Sequence, residues 1–378
     1  MIDPDNETDL VPVTDGAIAL INLESARRRA WERFSRDPNR EGIAEGLFEQ
    51  EQLTAQFLGD AGSIDRLETM VSQLDEADPG SGRTALIHAQ FSSLTHRFEE
   101  AREHLSAAAR RGAPPEAVNR LALSIDQACG TRQEQVLESR RRLAAASGRL
   151  DELVPLAALL ADLREFTEAD ALYRRALREY REVSPFAVSW ACFQLGVLWG
   201  ELVPDRQPNR AAQWYRRAIS YLPCYVKARV HLAEILSSAG QVLDAEALLV
   251  PAVASGDPEV RWRLADALTA DGRLVEAEAH LEAARSGFER LLERHLLAFA
   301  DHGAEFYSGR GNDARKALDL ARINVANRPT LRALEQAYAI AVGAGEAAAA
   351  EEIRWDATNR WGRTQAFQLS PLARGESA

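Results

Sequence analysis

The sequence predicts an all-α chain, an α-solenoid of stacked antiparallel helix pairs, and three observations carry that expectation. A small-residue pattern returns at 34-residue intervals: Ala101, Leu105 and Ala108 form one copy, and Ala169, Tyr173 and Ala176 another two periods later. The same triplet reads Ala211, Tyr215, Ala218, then Ala245, Leu249, Ala252, then Ala277, Leu281, Ala284. A period of about 34 residues is that of a helix–turn–helix unit, which buries its apolar face only by stacking on its neighbours. Second, Ala, Leu, Arg and Glu dominate the composition, and these are strong helix formers. Third, 378 residues are more than one compact core usually serves, whereas an array has no such limit.

The elements follow in order. Residues 1–14 are expected to be a disordered lead, and 15–47 an N-terminal helical segment. Within it Ile18, Ile21, Ala26, Ala30 and Phe34 fall near helical spacing, and Asp37-Pro38-Asn39 ends the helix. Repeats are placed at 48–285, divergent repeats at 286–358 and a polar C-terminal tail at 359–378. Each unit is anchored on the residue that opens its second helix: Leu67, Ala101, Gln135, Ala169, Ala211, Ala245, Ala277, Ala317 and Ala350. Leu67 and Gln135 depart from the small-residue rule and rest on spacing. A glycine five residues before several anchors (Gly62, Gly130, Gly240, Gly272, Gly345) supplies the positive φ of the turn between helices. Pro79, Pro223 and Pro329 close second helices. Small residues are needed where two helices cross closely, and a large one such as Tyr173 or Tyr215 fills the space one turn on. The period breaks at 202–210, where VPDRQPN lengthens a turn, and at 286–312, before the polar loop 308–312. Insertions in repeat proteins map to loops, often on one binding face.

With these residues in place the chain resembles the tetratricopeptide repeat family, best from Leu153 to Ala284. Leu195-Gly196-x-x-Trp199 stands where the family shows Leu-Gly-x-x-Tyr, and Ala211-x3-Tyr215-x2-Ala218 with Pro223 matches the second-helix signature. The run AAQWYRRAI is also similar to the Sel1-type repeat. The resemblance implies a right-handed superhelix whose first helices line a concave groove. Carried over by position, the partner-binding residues are Arg83, Gln90, Arg120, Trp190, Phe193, Lys227, Glu234, Trp262 and Asp266. Trp190, Phe193 and Trp262 are read as exposed aromatic anchors beside charges. The Lys and Asn arrangement with which family members clamp a C-terminal carboxylate is missing from this set.

Chemistry is harder to find. A net charge of −12 argues against nucleic acid as the main partner, because phosphate contacts require a basic face. The Arg-rich stretches at 27–29, 110–111 and 140–142 read as solvated helix faces. Cys129, Cys192 and Cys224 are widely spaced, form no CxxC pair and suit a reducing, cytoplasmic setting. The polar N-terminus and the lack of an eighteen-residue apolar run predict neither a secretion signal nor a membrane span. Heavy Ala and Arg usage suggests a bacterial source. His302 and Glu305 lie one helical turn apart, with His295 seven residues earlier on a similar face, but one His and one carboxylate do not complete a site that takes three or four ligands; the three are read as packing of the distorted unit, and no cofactor or metal is expected. His88, His96 and His104 read as structural. No nucleophile–base pair and no Gly-rich phosphate loop after a strand is found, so an enzyme is not expected.

The function expected is therefore that of a non-enzymatic scaffold that binds a protein segment or peptide in its groove. A regulatory receptor for a peptide or small ligand, and an accessory subunit of an enzyme complex, are the alternatives. Self-association through the terminal units, near Trp355 and Trp361, is a further option.

Overall fold

The computed structural model describes residues 11–375, and every regular element among them is helical. In chain order these are α1 (Gly16–Arg36), α2 (Ile43–Leu58), α3 (Gly62–Ala77), α4 (Gly82–Leu94), α5 (Phe98–Arg110), α6 (Pro115–Cys129) and α7 (Gln133–Ser147). Then come α8 (Leu150–Asp162), α9 (Phe166–Glu179), α10 (Pro185–Val197), α11 (Pro208–Tyr221), α12 (Val226–Ser238), α13 (Val242–Leu249) and α14 (Pro258–Ala270). The chain ends with α15 (Leu274–Ser308), α16 (Ala314–Asn327), α17 (Leu331–Gly343), α18 (Ala347–Trp361) and the short α19 (Gln365–Gln368) and α20 (Pro371–Arg374). A π turn (Leu198–Leu202) follows α10, and a 3-10 turn (Val250–Ser255) follows α13.

Each sequence anchor lies on the second helix of a pair. Leu67, Ala101, Ala169, Ala211, Ala245 and Ala317 are fully buried there, as a close helix crossing requires. Gln135 is the exception. It faces solvent, and Val136, Arg140 and Ala144 form the buried stripe of α7, so the pattern runs one residue later in that unit.

The turn inside seven of the nine pairs shares one backbone feature. Five residues before the anchor, φ is positive at His96 (56°), Gly130 (64°), Arg164 (67°), Gly240 (77°), Gly272 (79°), Asn312 (48°) and Gly345 (74°). Glycine takes this left-handed conformation freely, whereas a side chain costs about 1 kcal/mol there. The turn thus imposes the torsion whether or not the sequence supplies glycine. Gly62, expected in this role, is instead helical, and Gly59 (φ 65°) makes that reversal. Close crossing is sharpest between α10 and α11. A methyl group on Gly196 would lie 2.8 Å from Tyr215 Cζ and nearer still to other atoms of that ring, so only glycine admits the tyrosine.

The interruption expected at 286–312 is no loop. Here α15 runs on as one long helix with a kink at His295 (φ −137°, ψ 52°). Its first half is the second helix of one pair, and its second half the first helix of the next. Only 309–313 form a connection, and Asp313 caps the helix that follows, its carboxylate accepting from the Lys316 N–H at 3.0 Å.

Sequence order divides the chain into consecutive blocks, but its compact units cut across them. One unit gathers the chain up to Gly80, Arg140–Ala161 and Glu165–Ala284; the other gathers Ser81–Ser139, Asp162–Arg164 and the chain from Arg285. In the first unit, α2 reaches far along the sequence: the Phe57 ring lies 5.1 Å from Phe186 and 4.7 Å from Tyr225. Repeats packing only on sequence neighbours, the simple solenoid expectation, is therefore not what these helices do.

Several terminal expectations change with this. Of the lead, residues 1–10 lie outside the described residues, while 11–14 are not disordered: Val11 is buried, its N–H donating to Tyr221 Oη at 2.7 Å, and the Thr14 N–H donates to Val183 O at 2.8 Å. Along α1 the buried face is Ala19, Leu23 and Phe34, and Ile18 and Ile21 point to solvent. In the tail, Trp361, Phe367, Ser370 and Leu372 are buried and two short helices form, so the polar fraying expected from Ser370 does not begin there.

The Glu51 carboxylate on α2, wholly buried, holds three helices. It accepts from Trp31 Nε1 of α1 at 2.7 Å and from Arg66 Nη2 of α3 at 2.9 Å, with Arg27 Nη1 at 3.5 Å. Glu51→Ala leaves Arg66 without its main partner and is expected to lower unfolding free energy by about 3 kcal/mol, read from urea denaturation. Asn312→Gly relieves the turn torsion and is expected to raise it by about 0.5 kcal/mol in the same assay.

Candidate partner-binding site

The aromatic and acidic residues that the sequence assigned to a groove come mostly from α10, α12 and α14, the first helices of three successive pairs. All lie in the first unit. Trp190 is half-buried on α10, with its ring stacked on Phe193 at 5.8 Å. Phe193 and Trp262, however, are core residues at 5% and 4% exposure. Phe193 packs on Tyr215 at 5.6 Å and Tyr225 at 5.2 Å, so it fills the space between pairs and is no free anchor. Val197 of α10 and Val230 of α12 are also buried. Partly exposed beside Trp190, Lys227, Glu234 and Asp266 are Gln194, His231 and Arg263. Lys227 is half-buried on α12. Arg83 and Gln90 on α4 and Arg120 on α6 belong to the second unit. Arg83 and Gln90 are half-buried, and Arg120 is exposed and pairs with Glu116 on its own helix at 3.4 Å.

Sequence reasoning missed two residues that organise the site. The first is Arg263. Its guanidinium lies over the Trp262 ring at 3.8 Å and reaches Glu234 of α12 at 3.2 Å, with Glu259 and Asp266 of its own helix each at 3.9 Å. One nearly buried cation thus faces three carboxylates. The second is His231. Its Nδ1 lies 2.8 Å from Glu201 Oε1, which also accepts from Tyr215 Oη at 3.2 Å. Burial pulls this imidazole down, but Glu201, and behind it Glu259 and Glu234, outweigh burial and hold it above its ordinary value. A signal for His231 existed in its position four residues after Lys227 and three before Glu234, on the same face.

Glu201 is placed by the π turn. There the helix widens after Val197, a geometry common at functional sites. Gly200 admits the close pass of Ala211, whose Cβ lies 3.0 Å from where a side chain would begin. The insertion that follows is fixed at both ends, with the Val203 N–H on Leu198 O at 3.1 Å and the Gln207 N–H on Trp199 O at 2.8 Å. Trp199 is itself held: Nε1 donates to Asp170 at 2.8 Å, and the Arg210 guanidinium lies 3.4 Å from the ring centre. The 202–210 break is therefore the wall of a cavity of about 470 Å³, lined by Glu201, Arg206, Asn209, Tyr215, His231 and Glu234 among others. A concave site with a few convergent polar groups is the usual form of a binding pocket.

His295, His302 and Glu305 form no such centre. His295 sits at the α15 kink, Glu305 is exposed, and among the described residues no group of three or more His, Cys, Asp or Glu is arranged to hold a metal ion. No described helix is long and apolar enough to cross a membrane.

No family model matches the chain, and no curated protein matches it. Among solved structures it is similar to a Rap protein complexed with competence and sporulation factor, with a TM-score of 0.52 and 13% identity over 85% of this chain and 98% of that one. It is also similar to the C-terminal part of a TPR repeat-containing protein from Cytophaga hutchinsonii (TM-score 0.32, 13% identity, 78% of this chain and 97% of that one). The Cut9–Hcn1 hetero-tetramer of the APC/C gives a TM-score of 0.33 at 12% identity, over 84% of this chain and 52% of that one. The likeness to the Rap protein shows the fold: an all-α stack of antiparallel helix pairs.

Because the raised imidazole favours the protonated form in the fold, the His231–Glu201 pair stabilises fully below the unfolded value of about 6.5, and the gain fades as pH rises through the folded value. The urea midpoint gap between the wild type and His231→Gln is expected to be wider at about pH 6 than at about pH 9.

Proposed function

We propose that this chain is a non-enzymatic interaction scaffold that holds a segment of a partner protein, or a peptide, along α10, α12 and α14. The observation that carries this reading is the cavity between the π-turn insertion and α12, where a fixed wall meets a half-exposed His–Glu pair and the Glu234–Arg263 pair. Four carboxylates, Glu201, Glu234, Glu259 and Asp266, gather about Arg263 and His231. That balance, with a net charge of −12, favours a partner segment carrying basic side chains. Trp190, stacked on Phe193 of the same helix, adds a half-buried ring for an apolar side chain. Three cysteines in the free thiol form suit the cytoplasm as its place of work.

The cavity's size also favours a second reading, a receptor for a short peptide or small ligand. The Rap protein with this fold, solved with competence and sporulation factor, gives that reading a precedent in kind. The two readings separate by what the purified chain captures.

Affinity capture with mass spectrometry tests the proposal. Wild type is expected to retain a partner that Trp190→Ala and Glu234→Lys each retain at least about tenfold less, with helical circular dichroism unchanged. Equal recovery by both variants overturns the assignment.

A further inference from the structure

A second concavity lies in the other unit, built from residues the proposed function does not use. One wall is a face of α5, with Phe98, Glu99, Arg102, Glu103 and Ser106. The other is formed by Leu297 of α15 and by Ile323, Ala326 and Asn327 of α16. The space between is about 800 Å³.

Its floor is apolar and its rim is charged. Phe98 is buried at the base, and Leu297 and Ile323 are half-buried, leaving hydrocarbon open to the cleft. Arg102 is committed to its own unit: Nη2 lies 3.3 Å from Asp126 Oδ1. Glu99 and Glu103, one helical turn apart on the exposed rim, have no hydrogen-bond or ion-pair partner among the described residues.

The two walls are fastened at one end by His96, the left-handed turn residue before α5. Its Nδ1 meets Leu297 O at 3.3 Å, its own carbonyl accepts from Asn327 Nδ2 at 2.9 Å, and its ring stacks on Phe98 at 5.3 Å. The kink at His295 carries Leu297 to this point. Burial and the Arg328 guanidinium push the imidazole down to about 4, so the fastening is a neutral one near neutral pH. A cleft already held open binds without the cost of ordering its walls.

We infer that this cleft between α5 and α16 docks an amphipathic helix of a partner protein, its apolar stripe on Leu297, Ile323 and Phe98 and its lysines or arginines against Glu99 and Glu103. A helix suits the space because both walls are helices, and a third lying between them continues the side-chain packing used throughout the stack. The basic character follows from the two unpartnered carboxylates. An acidic or uncharged helix would leave both facing like charge or nothing.

The test uses the full chain and two fluorescein-labelled helical peptides the length of α16. Both carry leucine at i, i+3, i+4 and i+7; one is flanked by lysine and the other has glutamate in place of every lysine. Anisotropy titration is expected to give saturable binding of the lysine peptide alone. Glu99→Lys/Glu103→Lys is expected to weaken it at least about tenfold, and Glu278→Lys/Glu282→Lys on the exposed face of α15 to change it less than about twofold. Hydrogen exchange is expected to show protection confined to 98–106 and 319–327. Ser106→Arg, on the same rim, provides the comparison if the double variant loses helicity. Absent binding of the lysine peptide, equal binding of the glutamate peptide, or wild-type affinity in a folded rim variant each overturns the proposal.

Discussion

One backbone torsion governs this structure. Within a helix pair the chain must reverse in a few residues and bring the second helix back at a fixed height, and the solution used in seven of the nine pairs is a residue in the left-handed region five positions before the crossing point. That turn sets which residue meets the partner helix, and therefore where alanine or glycine must stand. Where Gly196 receives the Tyr215 ring the same rule is met from the first helix. Change the turn length and the small residue no longer faces its crossing, which explains why spacing held even where residue identity drifted.

The torsion has a second effect where glycine is absent. A side chain forced into the left-handed region costs a little energy but gains a position at the tip of a helix pair, where it reaches elements remote in sequence. His96 bonds to the α15 backbone through Leu297. Arg164, in the equivalent place two units on, pairs with Glu335 of α17. Both contacts join segments far apart along the chain within one compact unit. These two non-glycine turns are among the places where the array ceases to be one-dimensional, with the Phe57–Tyr225 contact another.

Pair count and turn positions were legible in the sequence because both are local: a turn and a crossing repeat at short range and leave a period. Burial of single faces was less so. Along α10, α12 and α14 the family-based register holds at Trp190, Lys227, Glu234 and Asp266, but it put the buried Phe193 and Trp262 outside and His231 and Arg263 out of view. Aromatic residues are ambiguous in this respect, since a ring filling the space between pairs and a ring awaiting a partner have the same helical spacing. On α1, both Ile18 and Leu23 are apolar, and only the tertiary packing decides that Leu23 is the buried one. The contacts of Glu51 and the meeting of Phe57 with Tyr225 are tertiary choices with no periodic signature. The break at 286–312 was detected correctly as an irregularity, but a kinked continuous helix and a long loop disturb the period alike.

The meeting of Phe57 with Tyr225 has a consequence for how the protein is made. At about 5–20 residues per second, the ribosome delivers the partner of Phe57 roughly ten to thirty seconds after Phe57 itself has emerged. Through that interval α2 presents a bare aromatic ring, and the Val11 segment lacks the Tyr221 hydroxyl that receives it. The nascent chain thus waits with its oldest helices incomplete, and its first unit closes only when its later segments arrive. Chaperone demand should therefore peak in the middle of synthesis and fall before the chain is released.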